Sequence, residues 1–565
     1  MTRFAAIASD YDGTLAHDGA VDDVAVKALE SLRQSGRKTI LVTGRELNDL
    51  QSVFTRFDLF DCIVAENGAV LYTPASREKK VLASPPKQQF LEELQRRGVR
   101  NVSVGDVIIA TWKPNETEVL NTIRDLGLEL QVVFNKGAVM VLPAGINKKS
   151  GLQAALDLLG LSTHNVVGIG DAENDHAFLE YCEFSAAVAN ALASVKETAD
   201  YTTSQSHGAG VAELIRMILN RELPPPLRRA LPLGTEDGRP VSIPALGSSL
   251  LVGGASGSGK STFIAGWLET LAEQDYQFCV IDPEGDYEAF PKTIAIGDEQ
   301  HPPSIDQLML ALQKPSAELV LNLMGVKIAD RPNFLDQLLP RLLDMRARTG
   351  RPHWIIIDEA HHMLPPEWTL PASEITGGLE NIILITVHPD HVAPIALRAV
   401  DTVLAVGSDP CQVFDAFAKA VAAGGPECGD SQLAPGEILA WLVRNQETHR
   451  LRIRFSETER LRHKRNYSAG ELGADKSFYF RGPEDKLNLR AQNLTMFLQL
   501  ADGVDDETWN YHLGRGDYSH WFREAIKDDD LANEAAQYEQ PNEFSPRESR
   551  DRIKSAVERR YSAPV

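Results

Sequence analysis

Two long parts of the chain alternate short apolar runs with stretches of helical composition. Between residues 4 and 220 the runs include FAAIAS, KTILVT, DCIVAE and NVVGIG, and between residues 246 and 455 they include FCVID, HWIIID, NIILITV and DTVLAVG. Short buried strands separated by helices are typical of parallel sheets covered by helices on both faces. The sequence therefore predicts an α/β, multidomain chain with two parallel-sheet domains.

Changes in this rhythm mark the domain boundaries. Between about residues 73 and 144 helices and strands follow in another order, which predicts an α/β cap inserted into the first domain, residues 1–220. Residues 221–245 are rich in proline and turn formers and predict a linker and the start of the second domain, whose main part is residues 246–455. Residues 456–565 lose the alternation but are rich in aromatic residues, and we expect a mainly helical module with a polar tail.

The charge balance restricts the partners of this chain. Lysine and arginine total 57 against 79 aspartates and glutamates, a net charge of −22. Such a surface repels phosphate backbones unless a basic patch is set apart from it, so generic tight nucleic-acid binding is disfavoured. The dense cationic run Arg460–Arg465 fits a phosphate contact and a charged linker equally well, and DNA stays an open partner.

The apolar runs and the cysteines bear on location. No apolar run reaches the length of about 18 residues that a membrane helix needs, so no membrane partner is expected. The first predicted strand follows Met1 almost at once, which leaves no room for a cleavable leader and favours a cytoplasmic protein. The cysteines stand singly, so we expect reduced, mostly buried thiols. They are Cys62, Cys182, Cys279, Cys411 and Cys428.

Two aspartates follow the first apolar run. Asp10 and Asp12, in DYDGT, come directly after FAAIAS, and the carboxyl ends of strands are where open α/β sheets bind their ligands. An aspartate carboxylate can attack phosphorus, and a second acid two residues on can protonate the leaving oxygen. The pattern predicts a phosphoryl-transfer site, against the simpler alternative of an Asx turn that ends a strand.

Later segments supply further groups suited to that chemistry. Thr43–Arg45 follow the next strand and suit phosphoryl oxygens, and Lys148 opens a helix where its charge can neutralise a phosphate. The run NVVGIG ends in GDAENDH, whose acids Asp171 and Asp175 can complete a Mg²⁺ site with Asp10, since hard oxygen ligands suit that ion.

These segments together resemble a known family. DYDGTL, TGR, the lysine of INKKSGL and GDAENDH, in this order across residues 1–220, resemble the four motifs of the haloacid dehalogenase (HAD) superfamily, which has a Rossmann-like core. The insertion between the second and third motifs is similar to that of the subclass with Cof-type sugar-phosphate phosphatases and sucrose-phosphate phosphatase. The resemblance implies a Mg²⁺-dependent phosphomonoesterase acting on a small-molecule phosphate ester. The roles that it implies are nucleophile, Asp10; general acid and base, Asp12; phosphate binders, Thr43, Gly44, Asn67, Lys148 and Asn174; and metal ligands, Asp10, Asp12, Asp171 and Asp175.

A second phosphate site follows the apolar run SSLLVG. The next residues, GASGSGKS, fit GxxxxGK[ST] between a strand and the helix STFIAGWLETLAE. Glycines let backbone N–H groups surround phosphates, Lys260 reaches the β and γ oxygens, and Ser261 can bind Mg²⁺. The predicted ATP-binding residues of this loop are Gly254, Gly257, Gly259, Lys260, Ser261 and Thr262.

The run HWIIID ends in two acids, Asp358 and Glu359. Asp358 would bind Mg²⁺ through water, and Glu359 would orient and deprotonate the attacking water, which is hydrolase rather than kinase chemistry. His361 and His362 follow, but without two further ligands at usable spacing we expect packing roles rather than a metal site.

Residues 228–455 resemble the HerA/VirB4 branch of the FtsK–HerA ATPases. The resemblance is carried by LPLGTEDGRPVSIP before the loop, VIDPEGDY after the next strand, and IIIDEAHHMLP. It implies a RecA-like domain that hydrolyses ATP, a homo-oligomer that is normally a hexameric ring, and in many members DNA translocation. It also implies a γ-phosphate contact, assigned here to His388, and an arginine from a neighbouring subunit. The candidates for that arginine are Arg398, Arg450, Arg452 and Arg454.

Three interpretations follow from the two sites. The first is a bifunctional hydrolase, a phosphatase joined to an oligomeric ATP-hydrolysing P-loop domain. The second is an end-processing enzyme similar to polynucleotide kinase/phosphatase, against which the acids of IIIDEAHHMLP argue. The third is an ATP-controlled scaffold or defence effector whose HAD domain only binds a ligand, against which the intact Asp10 and Asp12 argue.

Overall fold

Strands and helices alternate through most of the chain, as the apolar rhythm predicts. The computed structural model describes residues 4–561 apart from 136, 227, 289, 370–378, 427, 429–431, 457–471, 473–476, 527 and 541–543. The chain divides into two compact units, Met1–Arg454 and Phe455–Val565. The expectation of an α/β, multidomain chain is confirmed.

The first lobe, residues 4–220, contains an eight-stranded sheet, called here the first sheet. Its strands, in spatial order, are Tyr201–Thr202, Phe184–Ala187, Val166–Gly170, Ala6–Asp10, Lys38–Val42, Cys62–Ala65, Val70–Thr73 and Glu78–Val81. Val70–Thr73 pairs antiparallel with Cys62–Ala65 and with Glu78–Val81, and the other strands pair parallel. Its helices are Asp23–Gln34, Leu47–Val53, Lys148–Leu159, His176–Tyr181, Ala193–Thr198 and His207–Asn220. Every residue of the central strand Ala6–Asp10 is buried, so Asp10 lies at the middle of the sheet's carboxyl edge.

A four-stranded antiparallel sheet, the cap sheet, is inserted between the first sheet and the helix that begins at Lys148. Its strands, in spatial order, are Leu130–Asn135, Ala138–Pro143, Ile109–Trp112 and Ser103–Val104. The helices Gln88–Arg96 and Glu116–Asp125 cover one face of this sheet. The strand Glu78–Val81 lies inside the range expected for the cap but pairs with the first sheet, because a hairpin extends that sheet's edge.

The second lobe, residues 228–454, contains an eleven-stranded sheet, the large sheet. Its strands, in spatial order, are Arg239–Pro244, Ala230–Glu236, Glu447–Arg452, Glu437–Leu442, Thr402–Ala405, Leu250–Gly253, Ile382–Thr386, Trp354–Ile357, Phe278–Asp282, Leu319–Asn322 and Ile294–Ile296. The strands from Thr402–Ala405 onwards are parallel. Its helices are Lys260–Glu273, Ile305–Ala311, Arg331–Thr349, Ala360–Met363, Pro394–Leu397 and Pro410–Val421. Residues 221–245, expected to hold a linker and the start of this domain, contribute the strands Ala230–Glu236 and Arg239–Pro244 to this sheet.

The two lobes meet at the amino ends of their strands. Glu183 accepts hydrogen bonds from the Tyr276 hydroxyl, at 3.1 Å to Oε1 and 3.0 Å to Oε2, and its Oε2 lies 2.7 Å from His164 Nδ1. His353 Nε2 lies 3.3 Å from Asn165 Oδ1. These five residues are buried and are called here the inter-lobe contact.

The second unit has a hairpin, Phe478–Phe480 with Leu489–Ala491, and helices packed on an aromatic core. The described helices are Leu494–Gly503, Asp506–Leu513, Asp517–Glu524, Asp529–Tyr538 and Pro546–Tyr561. The last of them lies within the expected polar tail and buries Ile553, Ala556 and Val557. Its apolar residues are few but fall on one face, so composition alone did not indicate a packed helix.

Two of the five cysteines form a disulfide. Cys411 and Cys428 form a disulfide, with their Cα atoms 5.8 Å apart, so the expectation of reduced thiols is wrong for this pair. The helix Pro410–Val421 brings Cys411 to the segment that carries Cys428, a proximity that single spacing does not reveal. Cys62, Cys182 and Cys279 are free and buried, as expected. Among the described residues, no helix has both the length and the apolar character to cross a membrane.

Candidate active site

Three residues distant in sequence meet at the carboxyl edge of the first sheet. Asp10 ends the central strand and is 4% exposed. Lys148 begins the helix Lys148–Leu159, whose start is fixed by Asn147, a residue that accepts the backbone N–H of Ser150. The Lys148 Nζ lies 2.5 Å from Asp10 Oδ1 and 2.5 Å from an oxygen of Asp175. The structure thus brings together three residues predicted as nucleophile, phosphate binder and metal ligand.

The turn after Val166–Gly170 completes an acidic cluster. One Asp175 oxygen accepts the backbone N–H groups of Asp171 and Ala172, both at 2.9 Å, and a side chain at Gly170 would collide with Asp175. The Thr14 hydroxyl donates to Asp171 at 3.2 Å. Asp10, Asp171 and Asp175 each place one carboxylate oxygen within 4.8 Å of the others. Buried, hard oxygens gathered in this way fit Mg²⁺.

Burial and charge perturb the titration of this cluster. Burial, and then the charge of Asp175, raise the pKa of Asp10 to about 8, although Lys148 opposes them. Burial lowers the pKa of Lys148, but the two carboxylates beside it outweigh burial and the net shift is upward. Lys148 therefore stays ionised, and one positive charge faces several carboxylates.

The carboxylate of Asp12 lies apart from the acidic cluster. Arg45 donates to it twice, from Nε at 2.7 Å and from Nη2 at 2.8 Å, and also donates to Asp49 at 2.7 Å. The hydroxyl of Thr43 accepts the backbone N–H of Arg45 at 3.1 Å, which fixes the turn after the strand Lys38–Val42. The structure does not bring the Asp12 side chain among the predicted metal ligands, because this guanidinium binds it.

A buried turn connects the core to the cap. Asn67, in the left-handed backbone region at φ 51°, accepts from Asn174 Nδ2 at 3.0 Å and donates to the Met140 sulfur at 3.0 Å. A Cβ on Gly44 would lie 3.3 Å from Asn67 Oδ1, so this predicted phosphate binder is close to the turn. The predicted residues Asn67 and Asn174 are therefore neighbours.

Glu66 is a structural residue of this site that the sequence did not single out. It is buried, and its carboxylate accepts the backbone N–H groups of Asp106, Val107 and Ile108, each at 2.8 Å. These bonds attach a loop of the cap to the core. An acid inside the apolar segment AENGAVLY was the available signal, since a buried charge requires partners.

The second predicted phosphate loop connects Leu250–Gly253 to the helix Lys260–Glu273. Its glycines Gly254, Gly257 and Gly259 all have positive φ, which places a compact turn at the helix N-terminus. Lys260 Nζ donates to the Gly254 carbonyl at 2.9 Å and to the Ala255 carbonyl at 3.0 Å.

Ser261 and Thr262 occupy the first turn of that helix. The Ser261 hydroxyl donates to Asp286 at 3.3 Å. Asp286 belongs to a turn that follows Phe278–Asp282, in which Asp282 accepts backbone N–H groups of residues 284–287. The segment VIDPEGDY is thus a capped turn beside the loop, a contact that its sequence resemblance alone did not give.

The two predicted acids follow Trp354–Ile357. Burial raises the pKa of Asp358 to about 8, and burial also raises that of Glu359, which has φ 43°. Burial lowers the pKa of Lys260, while the charges of Glu359 and Asp358 oppose this. The acids and the lysine therefore interact electrostatically across the carboxyl edge of the large sheet. A left-handed backbone at a bulky residue is costly and is frequent at functional sites.

The strand Ile382–Thr386 lies between the loop's strand and the strand of the acids. Its last residue, Thr386, is buried, accepts the backbone N–H of His388 at 3.0 Å and lies 3.1 Å from His361 Nδ1. His361 Nδ1 is also 3.3 Å from Glu359 Oε2. His361 therefore lies within 3.3 Å of both Thr386 and Glu359. The ring centroids of His361 and His388 are 5.8 Å apart.

The candidate arginines lie in different environments. Arg454 pairs with Glu273 at 2.6 Å, and Arg450 lies 3.5 Å from Glu437. Arg398 and Arg452 are exposed. The run Arg460–Arg465 lies outside the described residues.

Comparison with known proteins identifies the first lobe. A family model of haloacid dehalogenase-like hydrolases matches residues 7–106 and 91–215. The chain is 33% identical over 223 residues to phosphoglycolate phosphatase of Methanothermobacter thermautotrophicus, covering 38% of this chain and 98% of that protein. It is 29% identical to phosphoglycolate phosphatase 1 of Saccharolobus solfataricus, covering 38% of this chain and 95% of that protein. A solved haloacid dehalogenase-like hydrolase from Bacteroides thetaiotaomicron aligns with a TM-score of 0.34 at 21% identity, covering 38% of this chain and 99% of that one. Through its first lobe, the chain belongs to the haloacid dehalogenase-like hydrolases.

Proposed function

We propose that the first lobe is a Mg²⁺-dependent phosphomonoesterase in which Asp10 carries the phosphoryl group. Family membership makes the lobe a HAD-type phosphatase domain. The observation that supports these residue roles is the buried contact of Lys148 with Asp10 and Asp175, both at 2.5 Å. Phosphoryl transfer needs a carboxylate nucleophile held in place beside a cation, and Lys148 supplies that cation beside Asp10.

The reaction has two steps. A carboxylate oxygen of Asp10 attacks phosphorus, the bond from phosphorus to the leaving oxygen breaks, and Asp12 gives that oxygen a proton. Water then attacks phosphorus, the bond from phosphorus to the Asp10 oxygen breaks, a proton of the water passes to Asp12, and inorganic phosphate leaves. Lys148 offsets the charge of the phosphoryl group throughout. Thr43, Gly44, Asn67 and Asn174 would bind the phosphoryl oxygens.

The acidic cluster suits a divalent cation. Asp10, Asp171 and Asp175 would hold Mg²⁺, since their oxygens converge within 4.8 Å and are buried. When bound, Mg²⁺ would supply positive charge that keeps these carboxylates ionised and draws charge from the phosphoryl group. Asp12 as a metal ligand stays a prediction, because its carboxylate is bound by Arg45.

A matched pair of variants tests this function. Asp10→Asn should abolish phosphate release from small phosphate esters in the presence of Mg²⁺, because an amide cannot accept the phosphoryl group. Asp18→Asn, an exposed aspartate of the same lobe, should retain the parental rate. Phosphate release by Asp10→Asn at the rate of Asp18→Asn would contradict the assignment.

We also propose that the second lobe binds and hydrolyses ATP. The supporting observation is the Gly254–Ser261 loop at the start of a helix, with Asp358 and Glu359 close enough to influence the pKa of Lys260. The strand that ends in Thr386 lies between the strand that leads into the loop and the strand that leads to the acids. Glu359 then activates water, and Lys260 and Ser261 contact the phosphates and their Mg²⁺.

Three variants test the second activity. Glu359→Gln should retain ATP binding and lose most hydrolysis, since the amide keeps the shape but not the base, whereas Lys260→Ala should weaken binding itself. Glu299→Gln, exposed in a loop of the same lobe, is the matched control. Hydrolysis by Glu359→Gln at the control rate would contradict the role of this acid. Transfer of the γ-phosphate to a nucleic-acid end would instead favour the kinase interpretation.

The assembly remains part of this proposal. An arginine from a neighbouring chain would complete the nucleotide site, so we propose a homo-oligomer, a ring of about six chains by family resemblance. ATPase activity per chain should then rise with protein concentration. Any stimulation by DNA should fall steeply with salt because the chain as a whole is acidic.

A further inference from the structure

The cap sheet presents one face to the candidate active site. Met140 on this face contacts Asn67, Ser103 donates to Glu46 of the core, and the strand Leu130–Asn135 contacts the turn Glu173–Asp175. The other face is covered by the two cap helices. Because side chains alternate along strands, the register assigns the residues of the site-facing surface. They are Ser103, Ala110, Trp112, Val133, Asn135, Ala138 and Met140.

This surface is uncharged and extends away from the phosphate site. Met140 pairs with Ala110 next to Asn67, and Ala138 pairs with Trp112 one row further out. Successive residues on one face of a strand are about 7 Å apart. Trp112 is 57% exposed, so its ring is accessible to a ligand. A leaving group must therefore extend beyond two carbons to reach the indole.

The core beside this surface is acidic. Glu46 binds Ser103 at the edge of the surface. The guanidinium of Arg45 is already bound to Asp12 and Asp49, and Lys148 is bound to two carboxylates. Both basic residues that contact the candidate site residues, Arg45 and Lys148, are therefore already bound to carboxylates of this chain. The carboxylates beside the cap surface would repel an anionic leaving group, which would also lose its hydration on binding.

We infer that the phosphatase accepts esters with an uncharged leaving group that lays an apolar or ring face on Trp112, and discriminates against short carboxylates such as glycolate. This inference depends on the proposed phosphatase function and specifies its substrate class. It differs from the activity named for the archaeal relatives, which are phosphoglycolate phosphatases. The Trp112 ring would contact an uncharged leaving group, and the acidic side chains of the core would repel a carboxylate on the leaving group.

Three phosphate esters distinguish the effect of a carboxylate on the leaving group from the effect of a ring that reaches Trp112. Phosphoglycolate and hydroxyethyl phosphate have nearly the same size and differ in the carboxylate, while benzyl phosphate adds a ring. We expect kcat/KM with the full-length Mg²⁺-loaded protein to be at least about tenfold higher for hydroxyethyl phosphate than for phosphoglycolate. Trp112→Ala should lower the ratio of kcat/KM for benzyl over hydroxyethyl phosphate about tenfold, mainly through KM. Phe134→Ala, an exposed aromatic on the opposite face, should leave that ratio unchanged.

The outcomes distinguish this inference from the function on which it depends. Hydrolysis of none of the three esters would overturn the proposed phosphatase function and this inference with it. Hydrolysis with phosphoglycolate preferred, or a benzyl ratio unaffected by Trp112→Ala in a variant that melts at the parental temperature, would overturn the inference and leave the phosphatase standing.

Discussion

Removing one hydroxyl from the inter-lobe contact should cost measurable stability. Glu183 is fully buried, and its partners there are the Tyr276 hydroxyl, at 3.0–3.1 Å, and His164 Nδ1, at 2.7 Å, with Arg229 Nε further away at 3.7 Å. Tyr276→Phe preserves the ring, whose centroid lies 3.8 Å from that of His164, and deletes only the donor to the carboxylate.

The size of the effect follows from the charge and burial of the acceptor. A hydrogen bond to a charged group contributes about 1.5–3 kcal/mol, and a buried carboxylate cannot replace its lost donor with bulk water. The two partners that remain should keep the loss near the lower half of that range. We therefore expect Tyr276→Phe to lower the free energy of unfolding by about 2 kcal/mol, or about thirtyfold in the folding equilibrium.

Urea unfolding followed by tryptophan fluorescence and far-ultraviolet circular dichroism measures this loss. Tyr201→Phe is the matched control, because its hydroxyl also donates to a carboxylate, Glu213, at 2.9 Å, but at a half-buried site within one lobe. Ordinary solvent can replace that donor, so the control should lose at most about 0.5 kcal/mol. Equal losses for the two variants, or a loss below about 0.5 kcal/mol for Tyr276→Phe, would refute the idea that burial of Glu183 makes this bond strong.

Three other predictions concern pH, redox state and assembly. His353 is held neutral, because burial first and then His164 and Arg351 lower its pKa well below 6.5, and its Nδ1 accepts the backbone N–H of Gln277 at 2.8 Å. The unfolded chain binds the extra proton, so the free energy of unfolding should fall by about 1.4 kcal/mol from pH 7.5 to about pH 5.5, and His353→Gln should flatten this slope in urea titrations. Thiol titration of the denatured protein should find three thiols before reduction and five after it; five before reduction would exclude the disulfide of Cys411 and Cys428. ATPase activity per chain that is independent of concentration, in a protein monomeric by light scattering, would contradict the ring.

The positions of both candidate sites were readable from the sequence because their motifs are local. Each motif follows a buried strand, and the carboxyl ends of parallel strands meet at one edge of a sheet. That rule alone places Asp10 near Asp171, although 160 residues of chain separate them in the sequence. It also places Asp358 at the same edge of the large sheet as the loop that contains Lys260.

Contacts made by side chains were not readable in this way. The binding of Asp12 by Arg45 depends on rotamers, and the attachment of the cap by Glu66 depends on a loop's backbone N–H groups. Neither leaves a periodic pattern in the sequence. The inter-lobe contact joins residues of separate sheets, such as Asn165 and His353, whose spacing reflects how the lobes pack rather than how either folds. Sequence reasoning therefore predicted which residues meet at each candidate site and missed the contacts that hold them in position.

The placement of the inter-lobe contact constrains how the two proposed activities can cooperate. Asn165 directly precedes the strand that leads to Asp171, and His353 directly precedes the strand that leads to Asp358. Each strand thus begins at the shared contact and ends at its own site, so about 36 Å of extended chain connects Asp171 to Asp358. The two sites lie at the carboxyl ends of strands whose amino ends meet, so they face away from each other. A phosphoryl group would have to be released into solvent to pass from one site to the other, which argues against a single substrate bound at both sites. We expect any coupling between ATP hydrolysis and phosphatase turnover to involve the inter-lobe contact, and Asn165→Ala, which removes the hydrogen bond to His353, tests this expectation.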